Sequence, residues 1–185
     1  VHINRSKKMK IVMIEGSPHK KGSSNMLAEE FKRGAEEAGH KVEILDAAHM
    51  DIHPCIGCGH CGMDGKCVYK DDNKLIKKAL LKADMAVFVT PIYYYGITAQ
   101  LKTVIDRFYC YNKKLSEAHI KTVLITAAWN DDDDTMPCTA AYYQKLCRCL
   151  NFSDCGMILG TGCGTPKLTK DSPHMKEAYD LGKSL

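Results

Sequence analysis

Apolar residues follow two different rhythms along this chain. In the first they run together with few polar breaks: Ile11 to Ile14 within 10–15, Val42 to Leu45, Met85 to Val89 within 84–90, Thr122 to Ala127, and 156–160. Such runs, bounded by glycine, proline or charge, read as strands buried on both faces. In the second, apolar residues return every three or four positions, as one face of a helix requires. Met26, Leu27, Phe31 and Ala35 mark a helix over 24–38, which Gly39 ends. Leu75, Ile76, Ala79 and Leu80 mark another that opens at Asp72, and Leu101, Val104, Ile105 and Phe108 mark one over 99–111. Two more are expected over 137–150 and 173–185.

Strand and helix thus alternate five times. That pattern belongs to an α/β fold, with a parallel sheet covered by helices on both faces. Right-handed crossovers leave few topologies, and five strands favour the order 2-1-3-4-5. The ligand crevice of that arrangement lies at the C-terminal ends of strands one and three. The expected organisation is one domain over 10–185, an N-terminal extension over 1–9, and an irregular insertion over 46–71.

Composition narrows the classes. Hydrophobic residues make up 45% and charged residues 26%, enough apolar surface to offset the entropy of ordering. No stretch approaches the ~20 apolar residues of a membrane span. The net charge of +4 is too small to argue for nucleic acid, and no basic stripe with interleaved aromatics is present. The polar, basic start from Val1 to Lys10 lacks the apolar stretch of a signal peptide, so a cytoplasmic location is expected.

The loops at the crevice carry the candidate chemistry. After strand one comes Gly16-Ser-Pro-His-Lys-Lys-Gly-Ser-Ser-Asn25, rich in hydroxyls and small residues and running into a helix N-terminus. Free N–H groups and the helix dipole make such a place an anion site. Five residues separate Gly16 and Gly22, and Ser-Ser follows, so this is neither a P-loop nor a G-x-G-x-x-G dinucleotide loop. A plainer reading makes Ser23 or Ser24 a helix cap. After strand three comes Thr90-Pro-Ile-Tyr-Tyr-Tyr-Gly96, whose three tyrosines suit a flat aromatic ligand. The acidic pair and strand-three aspartate of a response regulator are missing.

The first loop, and Pro91 to Arg107 after strand three, resemble the two flavin loops of the flavodoxin-like NAD(P)H-dependent FMN reductases. The likeness spans about residues 9 to 165. It implies a flavodoxin-like three-layer sandwich, bound FMN, NAD(P)H as co-substrate, a small-molecule or protein electron donor or acceptor, and a homodimer or dimer of dimers. By position it assigns the FMN phosphate to Ser17, His19, Ser23, Ser24 and Asn25. It assigns the isoalloxazine and ribityl chain to Pro91, Ile92, Tyr93, Tyr94, Tyr95 and Gly96, with the Ala127-Ala128-Trp129-Asn130 segment closing over the ring. The family often carries Arg where His19 stands, so less charge meets the phosphate here. Asp131 to Asp134, an acidic run beside a dianion, reads as a solvated loop tip. Hydride chemistry belongs to the flavin, so no side-chain acid or base is assigned a catalytic role.

Ten cysteines complete the picture, and four of them, Cys55, Cys58, Cys61 and Cys67, lie within thirteen residues. The other six are expected to be mostly small buried hydrophobes. The clustered four suit a 4Fe–4S cubane, whose irons need thiolates converging on one small site, and they look like those of the iron–sulfur flavoprotein subset of the same family. Zinc held by four thiolates and metal-free thiols, with a disulfide on oxidation, are the competing readings. An FMN-dependent oxidoreductase is the leading function. A non-enzymatic flavin electron carrier and a thiol-based redox or metal sensor are its alternatives.

Overall fold

The structure, a computed structural model, describes residues 7–185. Most of the N-terminal extension, residues 1–6, therefore lies outside the described residues. Five strands form one parallel sheet: β1 (Lys10–Glu15), β2 (Lys41–Leu45), β3 (Met85–Pro91), β4 (Lys121–Ala127) and β5 (Ser153–Gly160). Their order is β2-β1-β3-β4-β5, as the alternation of elements predicts. The helices are α1 (Ser23–Glu37), α2 (Asn73–Leu80), α3 (Ala99–Asp106), α4 (Asn112–Ala118), α5 (Pro137–Cys149), α6 (Pro166–Lys170) and α7 (His174–Lys183).

Successive strand side chains point to opposite faces, and both faces are dry. Ile11 and Met13 of β1 join Val87 and Val89 of β3 beneath α1 and α7. Val12 and Ile14 join Ala86 and Phe88 beneath α2, α3 and α5. This is why β1 and β3 read as unbroken apolar runs. The outer strands are less covered: β2 is partly exposed throughout, and β5 begins in two exposed residues.

The long helix expected over 99–111 is a correction. The α-helix stops at Asp106, a 3-10 turn covers Arg107–Tyr111, and α4 follows. At the break the Arg107 amide is shared among the carbonyls of Thr103, Val104 and Ile105, which tightens the turn. The Arg107 side chain is drawn sideways to Asp71. Neither α4 nor α6 has a visible period. Leu115 is the one buried residue of α4, and α6 is only five residues long. Thr165 followed by Pro166 is nonetheless a start signal, and the Thr165 hydroxyl caps the Leu168 amide.

Of the six scattered cysteines, Cys110, Cys147 and Cys163 are buried, Cys155 is half-buried, and Cys138 and Cys149 are exposed. The expectation of mostly buried thiols therefore holds for half of them. The exposed pair lies on α5, Cys138 in its first turn and Cys149 opposite the core-facing Cys147.

α1 and α7 touch backbone to backbone. A Cβ on Gly34 would collide with the Tyr179 carbonyl, and one on Gly182 with the Phe31 carbonyl. Alanine in a helix normally gains about 1 kcal/mol over glycine. Here overpacking should outweigh that gain. Gly34→Ala is expected to lose about 2 kcal/mol of stability in urea unfolding; a variant as stable as the parent would contradict the close approach.

Candidate functional site

All five strands point the same way, so the loops after β1, β3, β4 and β5 gather at one edge. Thr98, at the start of α3, knots two of them together. Its hydroxyl donates to the Gly16 carbonyl at 2.7 Å and accepts from the Leu101 amide at 3.3 Å. Its own amide donates to Thr90 Oγ1 at 3.0 Å. A Cβ on Gly16 would stand 2.6 Å from Leu101 Cβ, so glycine lets the loop lie directly on α3.

The gathered loops enclose a cleft of about 760 Å3. That falls within the few hundred to 1,000 Å3 of cofactor sites. The loop after β1 supplies Ser17 to Ser23, and the loop after β3 supplies Pro91, Ile92 and Tyr93. Ala127, Ala128 and Trp129 follow β4, and Cys163 to Pro166 follow β5. Among the described residues the charged ones lining it are Lys20 and Lys21, and none is acidic. Gly22 is the N-cap of α1 and offers no side-chain cap. Neither Ser23 nor Ser24 takes that role, so the first-turn amides of α1 remain for an anion.

Of the residues expected to meet a phosphate, Ser17, His19 and Ser23 border this cleft. Ser17 is also the pivot of the turn, its hydroxyl donating to the His19 carbonyl at 3.1 Å and accepting from the His19 amide at 3.2 Å. Ser24 and Asn25 are buried behind it, 1% and 5% exposed. Asn25 braces the loop from within: its amide group donates to Glu15 at 3.1 Å and to the Lys20 carbonyl at 3.4 Å.

Tyr93 and Gly96 exchange backbone hydrogen bonds of 3.0 and 3.1 Å, closing a two-residue turn. Tyr94 and Tyr95 occupy its corners with φ of 48° and 63°. These are strained values for bulky residues, of the kind that collect at functional sites. Tyr94 is fully exposed at the tip. Both tyrosines border a second hollow with Asn130 and Thr135, separated from the main cleft by the shared walls of Ile92, Ala128 and Trp129. Gly96 borders neither. The Trp129 ring lies over Gly164, where a Cβ would strike it. Asp131 to Asp134 are all exposed, as a solvated tip requires. The wall after β5 is what the sequence reading missed. Cys163-Gly-Thr-Pro166 carries the helix-start signal of α6, and that signal was the clue.

The clustered cysteines form a separate place. Cys55, Cys58, Cys61 and Cys67 all border one small cavity, closed by Tyr69, Arg107 and Cys110. The cavity shares no lining residue with the cleft. Gly57 and Gly59 take φ of 64° and 69°, which lets the chain curl between the thiols. Gly65 brings its backbone to Cys61, its amide donating to the Cys61 carbonyl at 2.6 Å, where a Cβ would lie 2.5 Å from that oxygen. Among the described residues no three His, Cys, Asp or Glu side chains already converge on the position of a single ion.

Beneath this loop lies a buried ion pair. Arg107 and Asp71 meet at 2.6 and 3.1 Å. Burial pushes the Asp71 carboxyl up, but hydrogen bonds from Arg107 and from the His53 and Asn73 amides outweigh it and hold the group below its ordinary value. Burial likewise raises the Cys110 thiol.

Glu15 sits at the end of β1, 8% exposed behind the first loop. Burial foremost, then the charges of Glu29 and Asp46, lifts its carboxyl to about 7 from 4.5. Between those values the folded state keeps a proton that the unfolded state sheds. Stability from this group is therefore full below pH 4.5 and is lost as pH rises through about 7. Glu15→Gln keeps the acceptor for Asn25. It should remove a decline of up to roughly 3 kcal/mol between pH 5 and 7.5, measured by urea unfolding across pH; parallel pH profiles would refute the assignment.

Comparison with protein families matches residues 9–146 to the NADPH-dependent FMN reductase family. An iron-sulfur flavoprotein of Archaeoglobus fulgidus is 27% identical over 179 residues, 96% of this chain and 79% of that protein. Another, from Methanocaldococcus jannaschii, is 37% identical over 99 residues, 54% of this chain and 51% of that protein. Among solved structures, an NAD(P)H:quinone oxidoreductase from Methanothermobacter marburgensis superposes with a TM-score of 0.77 at 18% identity, covering 96% of both chains. That last likeness speaks for the fold. The family match, the five-stranded sheet in flavodoxin order and the cleft at its switch point agree: the chain belongs to the NADPH-dependent FMN reductase family of oxidoreductases.

Proposed function

We propose that the cleft binds FMN, and that the chain passes electrons from NAD(P)H or another reduced donor through it to a small-molecule or protein acceptor. The observation that carries this reading is the uncapped N-terminus of α1 at a cleft whose charged residues are Lys20 and Lys21. A phosphate dianion takes the place of the missing cap, held by first-turn amides, Ser17, His19 and Ser23, with the two lysines supplying positive charge. Ser24 and Asn25 act from behind, keeping the loop in shape. Pro91, Ile92 and Tyr93, with the neighbouring Ala128 and Trp129 and with Gly164, would border the ring. Bound flavin would supply hydride acceptance and onward electron transfer. The protein's part is to hold the ring, exclude water from one face and orient the nicotinamide. The tyrosine turn with Gly96 frames the entrance, and its strained corners fix where Tyr94 and Tyr95 stand.

Ser23→Asp tests the phosphate site cleanly. A carboxylate in the first turn favours the helix, so the fold should persist. The same charge should repel the phosphate and weaken FMN binding at least a hundredfold by fluorescence titration. Parental affinity would remove the phosphate from this loop.

The cysteine cavity we assign to a 4Fe–4S cluster held by Cys55, Cys58, Cys61 and Cys67. Four thiols around one cavity, a backbone curled by glycines and a buried guanidinium beside them suit an anionic, thiolate-bound group. The iron-sulfur flavoproteins it resembles lend the same support. Such a cluster would pass electrons singly. Ile56, Val68 and Tyr109 stand exposed at its rim, apolar surface that a homodimer or dimer of dimers would cover. Ten free thiols fit a reducing, cytoplasmic setting.

Cys58→Ser should lose iron and sulfide after anaerobic reconstitution while FMN content and melting temperature stay near the parent's, because the two sites share no wall. Equal loss of flavin would merge them; full retention of iron would exclude Cys58 as a ligand.

A further inference from the structure

One buried cation lies outside the flavin chemistry. Arg107 is 2% exposed, stands where α3 gives way to its 3-10 turn, and borders the cysteine cavity. Its Nη1 donates to Asp71 Oδ2 at 2.6 Å and to the His53 carbonyl at 2.7 Å. Its Nη2 donates to Asp71 Oδ1 at 3.1 Å and to Cys67 Sγ at 3.4 Å. The Tyr69 ring lies 5.2 Å away across the guanidinium, and His53 stacks on Tyr69 at 4.8 Å. One side chain therefore grips both flanks of the cysteine loop, at residue 53 and at residues 67–71.

The grip on Asp71 and His53 is enough to anchor the loop. It leaves two features unexplained: the second arm reaches a sulfur, and Nε is buried without a partner among the described residues. A buried donor lacking an acceptor is costly, and natural structures keep few of them. Both features make sense if the cavity beside them carries negative charge on sulfur.

We propose that Arg107 is a positioning residue of the cysteine site, holding Cys67 by an N–H···S hydrogen bond and raising the reduction potential of a cluster bound there. This rests on the cluster reading above. An electron reaching such a cluster from a reduced flavin would add negative charge at the sulfurs, with no bond formed or broken. Hydrogen bonds to those sulfurs and a nearby positive charge favour the reduced state. Asp71 offsets part of the charge but not the local N–H···S contact. Lysine in place of Arg107 would keep the charge and give up the planar fork that serves Asp71 and Cys67 together.

Three proteins test this: the parent, Arg107→Lys, and the paired Arg107→Gln/Asp71→Asn, which swaps the ion pair for two amides and buries no lone charge. Each is reconstituted anaerobically with iron and sulfide. Metal content, midpoint potential by spectroelectrochemistry, and amide exchange of residues 53–67 in the metal-free protein are then compared. The paired variant should favour the oxidised state about tenfold more, about 59 mV for a one-electron couple. Arg107→Lys should fall in the same direction by less, and the flavin midpoint should not move. Amide exchange should quicken in the paired variant. Loaded variants with parental midpoints would overturn the role of Arg107 while leaving the cluster reading intact. A parent that takes up no iron and sulfide would overturn the cluster reading, and this inference with it. A paired variant that keeps its helical circular dichroism yet holds no cluster would support the holding role, with Arg107→Lys then supplying the potential.

Discussion

Everything in this protein depends on β1 lying parallel between β2 and β3. Parallel pairing forces each connection to cross a face of the sheet, which buries both faces and delivers every strand to the same edge pointing outward. Because the chain turns outward on opposite sides of β1, the loops after β1 and β3 splay apart there and leave a crevice. Thr98 then ties the Gly16 and Thr90 ends together within one hydrogen-bonding network. The crevice is thus a by-product of topology, made rigid by one buried hydroxyl.

The two candidate sites are built on opposite principles. The cleft is wide, and its candidate anion site is made of main-chain amides and surface lysines around an open helix end. The cysteine cavity is small, and its shape is imposed from below by a buried ion pair. Burying such a pair gives little net stability, but removing one partner costs about 3–5 kcal/mol. The Arg107–Asp71 contact therefore works as a lock on geometry: the loop has one way to satisfy both charges, and that way lines its cysteines up around one space. The break of α3 at Asp106 turns the guanidinium toward the loop.

Much of this was legible in the linear pattern. The unbroken apolar runs of β1 and β3 pointed to doubly covered strands, since a one-faced sheet would alternate. One helical period ended at Gly39, whose φ of 97° suits a helix terminus, and another began just after Asp72. The hydroxyl-rich loop, the tyrosine loop and the cysteine spacing each announced chemistry, because such residues in such density serve no core. Where the pattern was thin the reading was thin. α4 has one apolar anchor, Leu115, and α6 is too short to show a period.

What the sequence determined by itself was the class of fold, the strand order, the family resemblance and the segments that bear chemistry. Those follow from local periodicity and composition, which need no partner elsewhere in the chain. Only the tertiary structure decided which residues face which space. Ser24 and Asn25 turn inward while Ser23 borders the cleft, because α1 rotates each residue by about 100° and the sheet covers one side. Cys163 to Pro166 join the cleft from more than a hundred residues beyond its first loop. Arg107 reaches Cys67 across 40 positions, and no spacing rule relates the two. Such contacts depend on where a break in a helix aims a side chain, and that is set by packing, which the order of residues does not display.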